Sequence, residues 1–265
     1  MKRVFLVLMV IGLATVAFSQ KTERRQVSGF TGIDASSVFD ITVNKGNTES
    51  LTIEADNDVM PYVRSEVNNG VLHLSIDDAN KGKNIKTLKA TITMKDLTGV
   101  TLSGACKFTA NDLFTPEKFK ADCSGVSGMK VNVNTGQLSI GVSGSGKITL
   151  IANVKGDADW NVSGVSSVKA NMKATKVTIN SSGVGSIELI GSASNLQIDA
   201  SGTSKITADS FVVKTATIKS SGTSSVNVNA TDVLTINSSG AVSVHYIGSP
   251  TLYTTSSDIA RISNN

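Results

Sequence analysis

The sequence predicts an all-β fold: a right-handed parallel β-helix, or β-solenoid, with about 19–20 residues per coil. Three observations carry this expectation. Ser-Gly pairs recur with their glycines at Gly104, Gly125, Gly144, Gly164, Gly183, Gly202, Gly222 and Gly240, at spacings of 21, 19, 20, 19, 19, 20 and 18 residues, which is the period of a stacked repeat. Around each of these glycines apolar and polar residues alternate with period two, as in a strand with one buried face. Finally, 23 Gly with only 5% aromatic and 17% charged residues favours short strands and many turns over helices, and excludes disorder and collagen-like repeats.

Residues 1–19 read as a signal peptide. Lys2 and Arg3 precede an apolar run over 4–18, and Ala17-Phe18-Ser19 supplies the small residues of a cleavage site before Gln20. An apolar run of about 15 residues is short of the roughly 20 that span a bilayer, so no membrane span is expected after its removal. No Cys stands near the cleavage site, so a lipid anchor is not indicated. Loss of Lys2 and Arg3 leaves 23 basic against 21 acidic residues. Without a clustered Lys/Arg block, nothing points to nucleic acid as a partner. Residues 20–26 read as an N-terminal linker.

Residues 27–252 read as the solenoid, with irregular coils over 27–98 and eight Ser-Gly coils over 99–248. In the irregular part the alternation recurs at Ile33, Phe39, Ile41 and Val43, at Leu51 and Ile53, at Leu72, Leu74 and Ile76, and at Leu88, Ala90, Ile92 and Met94, so these strands are expected to begin the same stack. The stretch 56–66 reads as either a helical turn, with Asn57 or Asp58 as cap, or an irregular strand. Residues 77–86 read as an exposed loop. A solenoid end exposes unpaired strand edges, so the N-terminal segment and the tail, 253–265, are the expected caps.

Within the eight coils the alignment is strict. Four residues before the glycine stand Val100, Ala121, Ile140, Trp160, Ile179, Ile198, Ile218 and Ile236; four after it stand Phe108, Met129, Ile148, Val168, Ile187, Ile206, Val226 and Val244. The places six before and six after are also apolar, with Thr98 the single exception. Even offsets therefore point into a shared core and odd offsets to water. Two short arms and a polar return of six or seven residues cannot bury this face alone, whereas stacked units about 4.8 Å apart can. Near the corner the inward places shrink to residues such as Ser181, Ala200, Ser166 and Gly185, which suits converging arms with little interior volume. Cys106 and Cys123 flank successive corners on the inner side, on the order of 10 Å apart, beyond the reach of about 7 Å for a bridge. Two buried free thiols are expected.

Gly29-Phe30-Thr31-Gly32-Ile33-Asp34, Val38-Phe39-Asp40-Ile41-Thr42-Val43, Leu51-Thr52-Ile53-Glu54-Ala55-Asp56 and Gly70-Val71-Leu72-His73-Leu74 precede the coils, and Tyr246-Ile247-Gly248-Ser249-Pro250 closes them. In this order the segments resemble the head GIN domain family of putative auto-transporter adhesins, common in exported proteins of Bacteroidetes-type bacteria, over most of residues 27–252. The resemblance implies a parallel β-helix-like domain exposed to the periplasm or cell exterior, with no catalytic residues to carry over. An autotransporter passenger is followed by a membrane barrel of many alternating strands; residues up to Asn265 carry no such pattern, so translocation by a barrel of the same chain is not expected.

Several residues invite a chemical role, and each has a plainer one. Ser103, Ser124, Ser143, Ser163, Ser182, Ser201, Ser221 and Ser239 form an outward column that could bind glycans or ordered water, but Ser at a turn also satisfies nearby backbone groups. With His73 and His245 the only histidines, none of these serines is a credible nucleophile. Asp122, Asp159 and Asp199 point outward and Asp157 joins Asp159, yet they are not expected to gather as polysaccharide-cleaving carboxylates do. Lys107, Lys147 and Lys205 are too widely spaced for an anion stripe. Trp160 occupies an inward column. No catalytic, cofactor-binding or metal residue is assigned, and no cofactor is expected. The expected role is an exported, non-enzymatic binding module, an adhesin or envelope interaction domain whose partner is a glycan or a cell-envelope protein. The alternatives are a polysaccharide-active lyase or hydrolase and a periplasmic scaffold for a membrane partner.

Overall fold

The structure, a computed structural model, describes residues 20–77, 84–257 and 260–264. The expected signal peptide and most of the expected loop at 77–86 lie outside the described residues. Sixteen strands and one 3-10 turn account for the ordered elements, with no α-helix among the described residues.

One coil shows how the sequence builds the rest. β12 (Gln137–Val142) forms the first arm, Ser143-Gly144-Ser145-Gly146 the corner, and β13 (Lys147–Val154) the second arm. Lys155-Gly156 then leads into β14 (Asp157–Ile247), which stays extended through all the later coils. First arms stack in parallel as one wall: β8 (Gly99–Leu102), β10 (Lys118–Cys123), β12 and the start of β14, in the register Val100, Ala121, Ile140, Trp160. Second arms stack as the facing wall: β9 (Lys107–Phe114), β11 (Gly128–Thr135), β13 and β14, in the register Phe108, Met129, Ile148, Val168. These are the columns the alternation predicts, and every one of these eight side chains is buried. The parallel β-solenoid is therefore the fold, with about eight turns.

The return between coils is shorter than the sequence reading expects. The alternation continues past the sixth residue after the glycine, so Val133, Thr135, Ala152 and Val154 are also buried and the second arm runs eight residues. A second corner closes the coil instead, where Gly136 N–H donates to Glu117 O at 2.8 Å and Gly156 N–H to Gly136 O at 2.9 Å. The 21-residue spacing has a local cause: Val131 pairs with Ala110 but Asn132 with Leu113, so Asn111 and Asp112 bulge out of the ladder. Asp112 Oδ2 there accepts from Lys45 N–H at 2.8 Å. Thr98 breaks its column because Leu97 takes the buried place, while the Thr98 hydroxyl donates to Thr31 O.

The corner glycines hold the stack together by close approach. Each has φ between +73° and +99°. A Cβ on Gly144, Gly164, Gly183, Gly202, Gly222 or Gly240 would sit 2.5–2.8 Å from the carbonyl oxygen of the corner glycine one coil earlier. That same oxygen accepts the N–H of the following residue, as in Val165 to Gly144 at 2.8 Å. Ser37 (φ 87°) occupies this place one rung before Gly104, and Ala105 N–H donates to its carbonyl at 2.6 Å.

The N-terminal region departs from the expectation of successive coils. β2 (Gly32–Ala35) and β3 (Asp40–Lys45) form a rung that lies directly against β8 and β9. β6 (Val71–Ile76) and β7 (Leu88–Met94) form the rung on its other side. β4 (Ser50–Asp56) and β5 (Val63–Asn68) run antiparallel to β7 and β6, and β5 ends the first wall. Residues 20–26, expected as a linker, contain β1 (Gln20–Arg25), which pairs antiparallel with β4. Arg25 fastens it, donating from Nη1 to Val63 O at 2.8 Å and Ser65 Oγ at 3.0 Å. The ambiguous stretch resolves into a 3-10 turn, Met60–Tyr62, with Val59 rather than Asn57 or Asp58 at its N-cap. At the other end, the expected tail carries β15 (Thr251–Ser256) and β16 (Ala260–Asn264), a further parallel rung on β14.

Candidate functional site

Stacking turns each outward place into a ladder, and the most continuous ladder lies on the first wall, three residues before the corner glycine. Its register runs His73, Asp34, Thr101, Asp122, Gly141 and Asn161. Asn180, Asp199, Lys219, Asn237 and Thr255 continue it, the last two paired directly. The ladder is knit by Asn180 Nδ2 donating to Asn161 Oδ1 at 3.1 Å and by Asp34 Oδ2 lying 3.3 Å from His73 Nδ1. Lys120 Nζ lies 2.8 Å from Asp122 Oδ2, and hydrogen bonding to that carboxylate raises the Lys120 pKa.

Between this ladder and the corner serines runs a valley. Three depressions lie end to end in it, of about 260, 200 and 400 Å³. The first extends from Thr101 to Asn161 and Ser163; the second begins at those two residues and reaches Asp199; the third begins at Asp199 and ends at Thr255 and Ser257. Shared lining residues make the three one continuous trough parallel to the solenoid axis. Its polar groups are hydroxyls, amides, two carboxylates and the Lys219 ammonium, set over a floor that includes Leu102, Cys123, Val142 and Val162. Such a surface can form many weak hydrogen bonds to an extended polar chain, repeating about every 4.8 Å.

The structure places the other candidates apart from one another. Ser124 and Ser163 donate to Leu102 O at 3.3 Å and Val142 O at 3.2 Å, so part of the serine column does satisfy backbone, while the same residues also line the valley. Asp122 and Asp199 share a ladder but stand four coils apart, with Gly141, Asn161 and Asn180 between them. Asp157 and Asp159 lie at the opposite margin of the first wall, exposed, beside Lys118 and Lys120. Lys107 reaches Asp40 at 3.5 Å on the second wall. His245 contacts Ser263 Oγ at 2.6 Å and Ser243 Oγ at 3.2 Å, both on or beside the last rung. Among the described residues no His, Cys, Asp or Glu cluster could hold a metal ion, and no helix is long and apolar enough to cross a membrane. Trp160 is fully buried and its Nε1 has no partner.

Both thiols are free and buried. The corner has one close diagonal: the place two before one glycine meets the place two after the next, as Ser181 Oγ meets Ser204 Oγ at 3.0 Å. Cys106 and Cys123 occupy the other diagonal. Burial, with the nearby Asp122 charge, pushes the Cys123 thiol up to about 12.

The sequence reading missed a second surface feature. The residue just after each corner glycine points fully outward, and Val126, Val165 and Val184 are 68%, 65% and 55% exposed there, in line with Val38. This ridge, apolar but for Ser145 between Val126 and Val165, and the continuity of the valley ladder were both present in the glycine alignment, at offsets one after and three before, where the inward places of the core draw no attention to them.

A parallel β-solenoid with a continuous trough along one wall defines a class: a repeat scaffold that displays a long surface. The chain belongs to the family of the putative auto-transporter adhesin, head GIN domain, whose model matches residues 29–171 and 151–250. Among solved structures it is similar to a putative adhesin from Parabacteroides merdae, at 21% identity over 93% of this chain and 96% of that one, with a TM-score of 0.71. It is also similar to a putative adhesin from Parabacteroides distasonis (20% identity, 94% and 98% covered, TM-score 0.65) and to a protein of the same species described as a putative lipid binding protein (18%, 93% and 96%, 0.67). At these identities the likeness is one of fold. Among curated proteins nothing matches.

Proposed function

We propose that this chain is exported to the periplasm or cell surface and acts there as a non-enzymatic binding module, an adhesin whose ligand is an extended, uncharged glycan laid along the first-wall valley. The observation that carries this reading is the continuity of the three depressions, which share lining residues from Thr101 to Ser257. A polyhydroxylated chain offers a donor and acceptor at nearly every rung, matching a surface that does the same. Membership in the family described as putative auto-transporter adhesin, head GIN domain, supports binding as the role. The near balance of charge in the valley favours a neutral chain over an acidic one.

The polysaccharide-cleaving alternative draws no support from the carboxylates. Four coils separate Asp122 from Asp199, roughly 19 Å at the strand spacing, against at most about 9.5 Å for paired glycosidase carboxylates. Asp157 and Asp159 are exposed at the wall's margin, with Lys118 and Lys120 beside them. A second reading, a scaffold for an envelope protein, is favoured by one feature, the Val126, Val165 and Val184 ridge. A panel of immobilised neutral and acidic oligosaccharides, probed with the purified chain, tests the glycan reading. Binding to neutral oligosaccharides is expected, and its loss in an Asn161→Ala/Asn180→Ala variant. Absence of binding to every member, together with capture by envelope proteins that a Val126→Ser/Val165→Ser/Val184→Ser variant abolishes, would replace it with the scaffold. Protease accessibility on intact cells separates surface from periplasm.

A further inference from the structure

The polar ladder has one rung without a side chain. Gly141 lies between Asp122 and Asn161 in register, and its φ is not in the left-handed region, so the turn geometry that explains the corner glycines does not explain this one. The missing side chain leaves one rung of the first depression lined by its neighbours' polar groups alone. A Cβ at Gly141 would run into Asp122 Oδ1, which leans over the glycine, while Asp122 Oδ2 is held by Lys120 at 2.8 Å. On the far side Asn161 Oδ1 accepts from Asn180, which turns the Asn161 Nδ2 donor toward the gap. Ser124, Ser143 and Ser163 close the corner side.

We propose that the notch over Gly141 is the anchoring subsite of the valley, and that it seats one neutral pyranose ring of the glycan. This rests on the glycan reading and deepens it. The two rungs from Asp122 to Asn161 span about 9.6 Å between Cα atoms, leaving room for one ring between a fixed acceptor and a fixed donor. Asp122 Oδ1 accepts from a ring hydroxyl in a charge-assisted hydrogen bond, roughly twice the strength of a neutral one. Asn161 Nδ2 donates to the neighbouring hydroxyl oxygen, while Ser124 and Ser163, whose protons go to Leu102 O and Val142 O, are left to accept. Elsewhere each rung carries a side chain, and the chain beyond this ring continues along the second and third depressions.

Gly141→Asn tests the subsite, because it fills the notch and completes the amide ladder with Asn161. Gly128→Asn is the control: Gly128 lies on the second wall, and a Cβ there meets nothing within 4 Å. On the same oligosaccharide panel, we expect Gly141→Asn to weaken the best neutral ligand at least tenfold, Asp122→Asn to weaken it several-fold, and Gly128→Asn to leave it unchanged, with all three melting within a few degrees of the parent chain. If the parent binds and Gly141→Asn binds equally well, the subsite is wrong and the valley reading stands. If the parent binds no oligosaccharide, the glycan reading itself fails and the subsite with it.

Discussion

Replacing Gly183 by alanine puts a number on what the corner column does. At φ +99° an L-residue costs about 1–2 kcal/mol relative to glycine. The new Cβ would also sit 2.7 Å from Gly164 O, 3.0 Å from its N and 3.4 Å from its C. These are backbone atoms fixed by their own ladder bonds, so relief requires moving one coil against the next, an overpacking cost of roughly 1–3 kcal/mol. Together about 2–5 kcal/mol is expected. At roughly 2–4 °C per kcal/mol for a chain of this size, Tm falls by about 4–20 °C. Two other glycines separate the contributions. Gly29 has φ +76° with nothing within 4 Å of a Cβ, and Gly128 has neither the positive φ nor the contact. Gly29→Ala should therefore show only the backbone cost, and Gly128→Ala none or a slight gain, since glycine in a strand is about 0.5–1 kcal/mol worse than alanine. Thermal melts followed by circular dichroism, with fluorescence of the single Trp160 as a local probe beside the Gly164 corner, measure all three. A Gly183→Ala melt no lower than that of Gly29→Ala would refute close approach as the reason for the column.

Three further outcomes follow from the corner interior. Ser181→Cys/Ser204→Cys should form an intramolecular disulfide on mild oxidation, seen as a two-proton mass loss and a mobility shift on non-reducing gels, because their Oγ atoms already meet at 3.0 Å; the parent thiols on the open diagonal should not pair under the same conditions. In the folded chain neither Cys106 nor Cys123 should react with a thiol reagent at pH 8, and both should react once unfolded, since burial raises both pKa values. The raised Cys123 pKa also has a sign for stability: above about pH 9 the unfolded chain releases a proton the folded chain keeps, so this contribution, whole below pH 9, is lost as pH rises toward 12. Urea titrations between pH 8 and pH 11 should show a steeper loss for the parent than for Cys123→Ala, and equal slopes would contradict the buried neutral thiol.

Much of the fold is legible in the sequence because a strand's side-chain alternation is a local property. Ile140, Trp160 and Ile148 announce their burial by their spacing from a glycine, without reference to any other coil. The site is less legible. Asp122, Asn161 and Asn180 are ordinary outward polar residues one at a time, and Gly141 reads as one more glycine in a glycine-rich chain. Only when the rungs are set 4.8 Å apart does the absence of one side chain become a notch between an acceptor and a donor. The Val126, Val165 and Val184 ridge is likewise a column that exists only once its members are stacked.

What the sequence by itself determined is therefore the coil: its period, the glycine of its Ser-Gly corner and the side chains that face the core on either side of it. The tertiary structure alone decided the order of the rungs. β2 and β3 are made early in the chain, yet they sit between β6 and β7 on one side and β8 and β9 on the other, with Ser37 taking the corner place 67 residues before Gly104. Main-chain ladder bonds are nearly indifferent to side-chain identity, so alternation qualifies many strands as neighbours and selects none. The choice is made by chain connection and by the need to end each wall, which here turns β1, β4 and β5 antiparallel.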